Sequence, residues 1–189
     1  DKDFAPQSYG FRHGRGCKEA LARVDELLQA GYTHVVDADL KSYFDTIPHD
    51  KLMTRVREKV ADGRVLGLIE AFLKADILEP MQSWTPEEGC PQGAVLSPLL
   101  SNIYLDPLDH LMAELGFQMI RYADDFVVLC RSRQEAEAAL QIIAQWVEEA
   151  GLTLHPDKTH IADATQKGGG FDFLGYHFEC HYRWPRQKS

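Results

Sequence analysis

Long apolar runs are missing from this sequence. No stretch approaches the ~18 residues that a spanning helix needs, so no membrane partner is expected. The N-terminus, DKDFAPQSYGFRHGRG, is polar and glycine-rich and does not read as a signal peptide. Cysteine is scarce: four in 189 residues, at Cys17, Cys90, Cys130 and Cys180, with no paired spacing. That argues against a disulfide framework and for a reducing, cytoplasmic setting. Positive charge is also in short supply. Lys and Arg number 20 against 29 Asp and Glu, a net charge of −9, which argues mildly against nucleic-acid binding, since that usually leaves a basic footprint. Repeats and low-complexity tracts are absent, and only Gln166–Gly170 looks like a flexible connection. The chain starts on Asp rather than Met and turns basic at HYRWPRQKS. Both ends therefore read as cuts through a longer protein.

A composition that is 44% hydrophobic suffices for one compact core. Leu21, Val24, Leu27 and Leu28 predict a helix over Lys18–Ala30, with Gly31 ending it. THVVDADL, Thr33–Leu40, reads as a strand. Further helices are expected from Pro48 toward Val60 and over Arg64–Ala75, then a short strand and turn within Met81–Glu88. A buried helix should cover Leu96–Leu115, kinked or broken at Pro107. QMIRYADDFVVLC reads as a β-hairpin with Asp124 and Asp125 at its tip. Ser132 and Glu135 form a capping-box pattern for a helix running to about Ala150. Strands follow near Leu152–Leu154, Thr159–Ala162 and Phe171–Phe178. The sum is an α+β domain, with an antiparallel sheet carrying helices on one face.

Two features stand out chemically. Adjacent carboxylates at Asp124 and Asp125, inside an apolar hairpin, are costly unless compensated. A divalent cation would compensate them, and a plain tight turn is the competing explanation. Alternation puts Asp37 and Asp39 on one face of their strand. If that strand lies beside the hairpin, Asp39 and Asp124 can meet and hold two Mg²⁺ ions for in-line phosphoryl transfer.

Tyr122-Ala123-Asp124-Asp125 resembles the YxDD box of reverse transcriptases, and other segments support the resemblance in the same order. SYGFRHGRGC (Ser8–Cys17) is similar to the block upstream of the palm, and VVDADLKSYFDTIPH (Val35–His49) to the first catalytic-aspartate motif. GCPQGAVLSPLLSNIYLD (Gly89–Asp106) is similar to the template- and nucleotide-contacting motif, GLTLHPDKT (Gly151–Thr159) to the later lysine motif, and FDFLGY (Phe171–Tyr176) to the primer grip. Group II intron-encoded bacterial reverse transcriptases resemble the chain most, with CRISPR-associated and retron-like enzymes next. The resemblance implies a polymerase palm (residues 33–189) behind a partial fingers segment (residues 1–32), with the N-terminal fingers and the thumb outside the sequence.

It also implies roles. Asp39, Asp124 and Asp125 match the catalytic carboxylates, with Asp125 more peripheral and the Leu40 carbonyl facing a metal. The ions would be two Mg²⁺, with Mn²⁺ able to substitute. Phe44 matches the ring that excludes a 2′-hydroxyl, although ordinary core is the bland alternative. Gln92 and Gly93 match contacts to the nascent pair, and Lys158 a general acid for pyrophosphate. Arg12, Arg15, Tyr122, Leu174 and Gly175 fall where nucleic acid is contacted, though Arg12 and Arg15 could instead brace the fingers. The implied partners are an RNA template, a DNA primer and dNTPs, with intron RNA a further candidate, in a bacterial cytoplasm.

The pattern is not perfect. His13, Ser42, Cys90 and Ala94 replace the Pro, Gly, Thr and Gly common in relatives. An RNA-dependent RNA polymerase shares the palm but usually has Gly before the Asp pair and lacks a ring like Phe44. A maturase-like RNA-binding protein that assists splicing would not need the carboxylate triad. His177, Cys180 and His181 fit no zinc spacing, and His155 and His160 read as surface or turn residues. The acidic balance fits a palm whose flanks supply the phosphate-binding charge.

Overall fold

The computed structural model describes residues 2–75, 77–79, 82–84, 88–90 and 94–180. Helix α1 (Cys17–Gln29) starts where the Glu19 carboxylate accepts the Gly16 N–H at 2.9 Å, and it buries Ala20, Val24 and Leu27. Strand β1 (His34–Ala38) leads into the single turn α2 (Tyr43–Thr46), then α3 (His49–Lys59) and α4 (Gly63–Leu73). The Asp62 side chain caps α4 by accepting from the Arg64 and Val65 N–H groups. Strands β2 (Ile77–Glu79) and β3 (Gln82–Trp84) make a small hairpin, partly coinciding with the strand expected in Met81–Glu88.

Helix α5 (Ser97–Glu114) runs through Pro107 without a break. The proline removes one hydrogen bond and costs roughly 3 kcal/mol. Leu100, Tyr104, Leu105, Leu108 and Met112 on either side are all at most 1% exposed. Burial worth roughly 1.5–3 kcal/mol per such side chain outweighs the loss.

The central sheet is antiparallel, in the order β4–β5–β1–β6, with β4 (Gln118–Tyr122), β5 (Asp125–Cys130) and β6 (His160–Asp163). Helix α6 (Arg133–Glu149) follows β5. The Ser132 hydroxyl accepts the Glu135 N–H at 3.2 Å, while the Glu135 carboxylate reaches one residue further back than expected, to the Arg131 N–H at 2.8 Å. No strand forms at Leu152–Leu154; there is only a bridge between Leu154 and Leu40. The expected strand Phe171–Phe178 is two, β7 (Phe171–Phe173) and β8 (Tyr176–Phe178). Leu174 and Gly175 turn between them with φ of 51° and 79°, as a two-residue hairpin requires.

Both sheet faces are covered, not one. Val36, Phe126 and Val128 pack with α3, α5 and α6 residues such as Leu52, Leu105 and Ile143. Val35, Val127 and Leu129 pack with Ala20 and Val24 of α1 and with Phe171 and Phe173 of β7. The run FVVLC in β5 is buried at every position. Such a run marks a strand sandwiched on both sides rather than a half-wet one.

A candidate active site at the hairpin tip

The β4–β5 hairpin pairs Tyr122 with Asp125, leaving Ala123 and Asp124 as the two-residue turn. Ala123 takes φ of 61°, a conformation that favours glycine. β5 in turn pairs with β1, and Ala38 lies opposite Phe126. The next residue on each strand end is therefore a carboxylate, Asp39 on one side and Asp125 on the other. The condition under which Asp39 and Asp124 can meet, a first strand lying beside the hairpin, is met by the β1–β5 pairing.

The carboxylates burden one another. Burial first, and then the nearby Asp39 charge, raise the Asp124 pKa, against its own backbone N–H and Arg121. Asp125 is pushed up to about 6, chiefly by burial and then by Asp37, Asp124 and Asp39, against a hydrogen bond from the Leu174 N–H. Asp37, on the same face as Asp39, is also pushed up to about 6 by burial, with His160 opposing.

A cleft of about 460 Å³ opens beside the turn, lined among others by Asp39, Leu40, Phe44, Asp124, His155 and Lys158. Lys158 Nζ stands 3.2 Å from Asp39 Oδ2, with both side chains well exposed. An ion pair so wet is worth roughly 0.2–1 kcal/mol, so the lysine can exchange partners readily. His155, expected as a surface or turn residue, lines the cleft, and its backbone N–H donates to the Asp39 carbonyl at 2.8 Å. Its loop, pinned to the β1 end also by Lys41 N–H to Thr153 O at 2.8 Å, gave no periodic signal to read.

Phe44 lies on α2, edge-on to Tyr43 with ring centroids 5.4 Å apart. The Tyr43 hydroxyl donates to the Ser101 carbonyl at 2.9 Å, anchoring α2 to α5. The Phe44 carbonyl accepts the Cys90 N–H at 2.6 Å, and Ile47 accepts that of Gly89 at 2.8 Å. Gly89 has φ of 90° and packs on the Asp45 carbonyl, leaving no room for a side chain. Gln92 and Gly93 lie outside the described residues.

The remaining expected contacts divide. Leu174 and Gly175 lie near the site, where the Leu174 backbone N–H favours the charged Asp125 carboxylate. Tyr122 is half-buried, 6.2 Å from the Phe11 ring. Arg12 donates to the Ala5 and Ser8 carbonyls at 2.7 and 2.9 Å and lies over the Phe4 ring. Arg15 donates to the Pro6 carbonyl and lies over Tyr9. Both arginines brace the N-terminal segment. His177 is paired with Asp172 at 2.7 Å. One residue escaped the sequence reading: Arg121, fully buried against Asp109 just before the turn. Its signal was available, a charged residue between Ile120 and Tyr122 in an apolar strand.

Among the described residues, no three His, Cys, Asp or Glu groups converge closely enough to hold a metal ion. The donor set still suits one. It is all oxygen, partly desolvated and mutually repulsive, the environment in which a hard divalent cation relieves charge.

Comparison with known proteins accords with this geometry. A family profile described as "Reverse transcriptase (RNA-dependent DNA polymerase)" matches residues 2–178. Protein YkfC of Escherichia coli is 32% identical, over 93% of this chain and 56% of that protein. The group II intron-encoded protein LtrA of Lactococcus lactis is 39% identical, over 62% of this chain and 20% of that protein. The chain thus spans about half the length of YkfC and less of the others. Among solved structures, the telomerase of Candida albicans bound to a fragment of telomeric RNA superposes with a TM-score of 0.71 at 14% identity. That match covers 90% of this chain and 34% of the telomerase, and it shows a shared fold. The family uses divalent metal ions. By the profile across nearly its whole length, this chain belongs to the reverse transcriptase (RNA-dependent DNA polymerase) family.

Proposed function

We propose that the parent protein adds dNTPs to a DNA primer on an RNA template, and that residues 33–189 are its palm and 1–32 part of its fingers. One observation carries the reading. Asp39 and Asp124, at the adjoining ends of two paired strands, line a cleft with Phe44 and Lys158, and Asp125 stands beside them in the sequence.

In this reading Asp39, Asp124 and the Leu40 carbonyl would hold two Mg²⁺ ions, or Mn²⁺ in their place, with Asp125 behind them. The chemistry those ions supply when bound is activation of the primer 3′-hydroxyl and neutralisation of the departing pyrophosphate. The chain's own residues position and select. Phe44 closes the sugar side of the cleft against a 2′-hydroxyl. Lys158 leaves its weak partnership with Asp39 and donates a proton to pyrophosphate. The Leu174–Gly175 turn, near Asp125, holds the primer end beside the carboxylates. Gln92 and Gly93 contact the nascent pair. Arg12 and Arg15 act through the segment they brace, which carries Tyr122's aromatic neighbour Phe11.

The test is primer extension by the intact protein on an annealed RNA template and DNA primer, with dNTPs or rNTPs, and with Asp124→Asn as control. Extension with dNTPs alone, lost in the variant, supports the proposal. Extension with rNTPs alone points to an RNA polymerase. Similarity to LtrA supports a second reading, in which intron RNA is a partner and splicing assistance the main work. No extension from a folded protein that binds intron RNA would favour it. The four free cysteines fit a reducing bacterial cytoplasm.

A further inference from the structure

Arg121 and Asp109 are both 0% exposed. A guanidinium has five N–H donors, and the bonds it makes here run in four directions. Nε donates to Asp109 Oδ1 at 2.8 Å, and Nη2 to Asp109 Oδ2 at 2.5 Å. Nη2 also donates to Ser8 Oγ at 2.9 Å, and Nη1 to Asn102 Oδ1 at 3.0 Å. The remaining bond runs from Nη1 to the Ala123 carbonyl at 2.7 Å, inside the turn that presents Asp124.

The backbone around this group is fastened too. The Arg121 N–H donates to Gln7 O at 3.0 Å, and its carbonyl accepts the Tyr9 N–H at 2.8 Å. Asn102 Nδ2 donates to Gly10 O at 2.9 Å. Gly10 lies so close to the turn that a Cβ there would overlap the Ala123 backbone. One side chain thus joins helix α5, the N-terminal segment and the left-handed turn residue.

Stability alone does not account for such a pair. Replacing a buried ion pair with apolar residues of similar volume is often neutral or stabilising. The bonds to Ser8, Asn102 and Ala123 are what an apolar replacement could not reproduce, and the one to Ala123 lies inside the turn. We infer that Arg121 is a positioning residue, which locks the strained Ala123 turn and so fixes where the Asp124 and Asp125 carboxylates stand. The inference rests on the polymerase reading and adds to it a residue that touches neither substrate nor metal.

The test uses the intact protein in three forms: wild type, Arg121→Lys, and the double variant Arg121→Met with Asp109→Leu. Three quantities are read: the melting temperature, Mn²⁺ affinity by electron paramagnetic resonance, and single-turnover primer extension. The double variant should melt below the wild type, because Ser8 Oγ, Asn102 Oδ1 and the Ala123 carbonyl lose their donor, and its folded fraction should bind primer–template equally well. Its extension rate should fall about 100-fold, the scale of an ångström's misplacement. Its Mn²⁺ affinity should fall about 10-fold, as when an outer partner of a metal ligand is lost. Arg121→Lys keeps the charge but not the fork, and should show the same losses in milder form. A double variant that, per folded protein, binds Mn²⁺ and extends like the wild type overturns the inference. If the double variant does not fold, Arg121→Lys decides. A loss of rate no larger than its loss of folded protein overturns the inference, and a larger loss supports it. A wild type that neither binds Mn²⁺ nor extends a primer overturns the polymerase reading and this inference together.

Discussion

Asp124 sits where its charge is disfavoured, through burial and the facing Asp39. A raised acid pKa means that the ionised form destabilises the fold at neutral pH. Asp124→Asn should therefore abolish primer extension while the melting temperature, measured at neutral pH without divalent ions, stays level or rises. A clear drop in that temperature would show the carboxylate to be structural. Phe44→Val should lower the preference for dNTPs over rNTPs by about 10- to 100-fold, the range that one pocket-filling group controls. Unchanged discrimination in steady-state kinetics would leave Phe44 as ordinary core. The thiols divide by burial. Burial pushes Cys90 up to about 11 and Cys130 up to about 12, while Cys17 is exposed. Native protein at pH 8 should be alkylated at Cys17 but not at Cys90 or Cys130, which peptide mass mapping would show. At this scale the aspartates were legible because charge in an apolar strand needs an explanation. Arg121 carried the same signal and passed unread, and His155 carried none.

Elements hold the site by close approach. The N-terminal segment reaches the turn because Gly10 has no side chain. Gly10→Ala should cost roughly 1–3 kcal/mol as an overpacking change. It should lower both the melting temperature and the extension rate, with the rate falling further than lost folded protein explains. Equal melting curves would mean the segment can lift away without harm. The β4–β5 hairpin and α6 were readable from alternation, helical spacing and the Ser132 cap. The break at Leu174–Gly175 was not, because FDFLGYHF scans as one apolar strand. Its division depends on two residues taking positive φ, one of them a leucine. At Pro107 the helix does not break, because buried neighbours on both sides carry α5 onward.

On the scale of the molecule, charge and site point in opposite directions. The chain carries a net charge of −9, yet the proposed substrate is polyanionic. The 189-residue chain alone should bind primer–template weakly, and the intact protein tightly and with steep salt dependence. Comparable, salt-sensitive binding by both in fluorescence anisotropy would place the phosphate contacts within this chain. The fold class, an antiparallel sheet with its hairpin among helices, could be read from the order of periodic segments. The covering of both faces could not, because the β7–β8 hairpin closes the second face from far along the chain. That arrangement has a consequence in time. β1 has no lateral partner until β5 and then β6 have been made. During synthesis Asp39 therefore leaves the ribosome long before the strand that will present its companions. For that interval β1 is an unpaired apolar strand with two open edges, a hazard for association with other chains. A nascent chain halted before residue 124 would hold Asp39 without the carboxylates that complete its site.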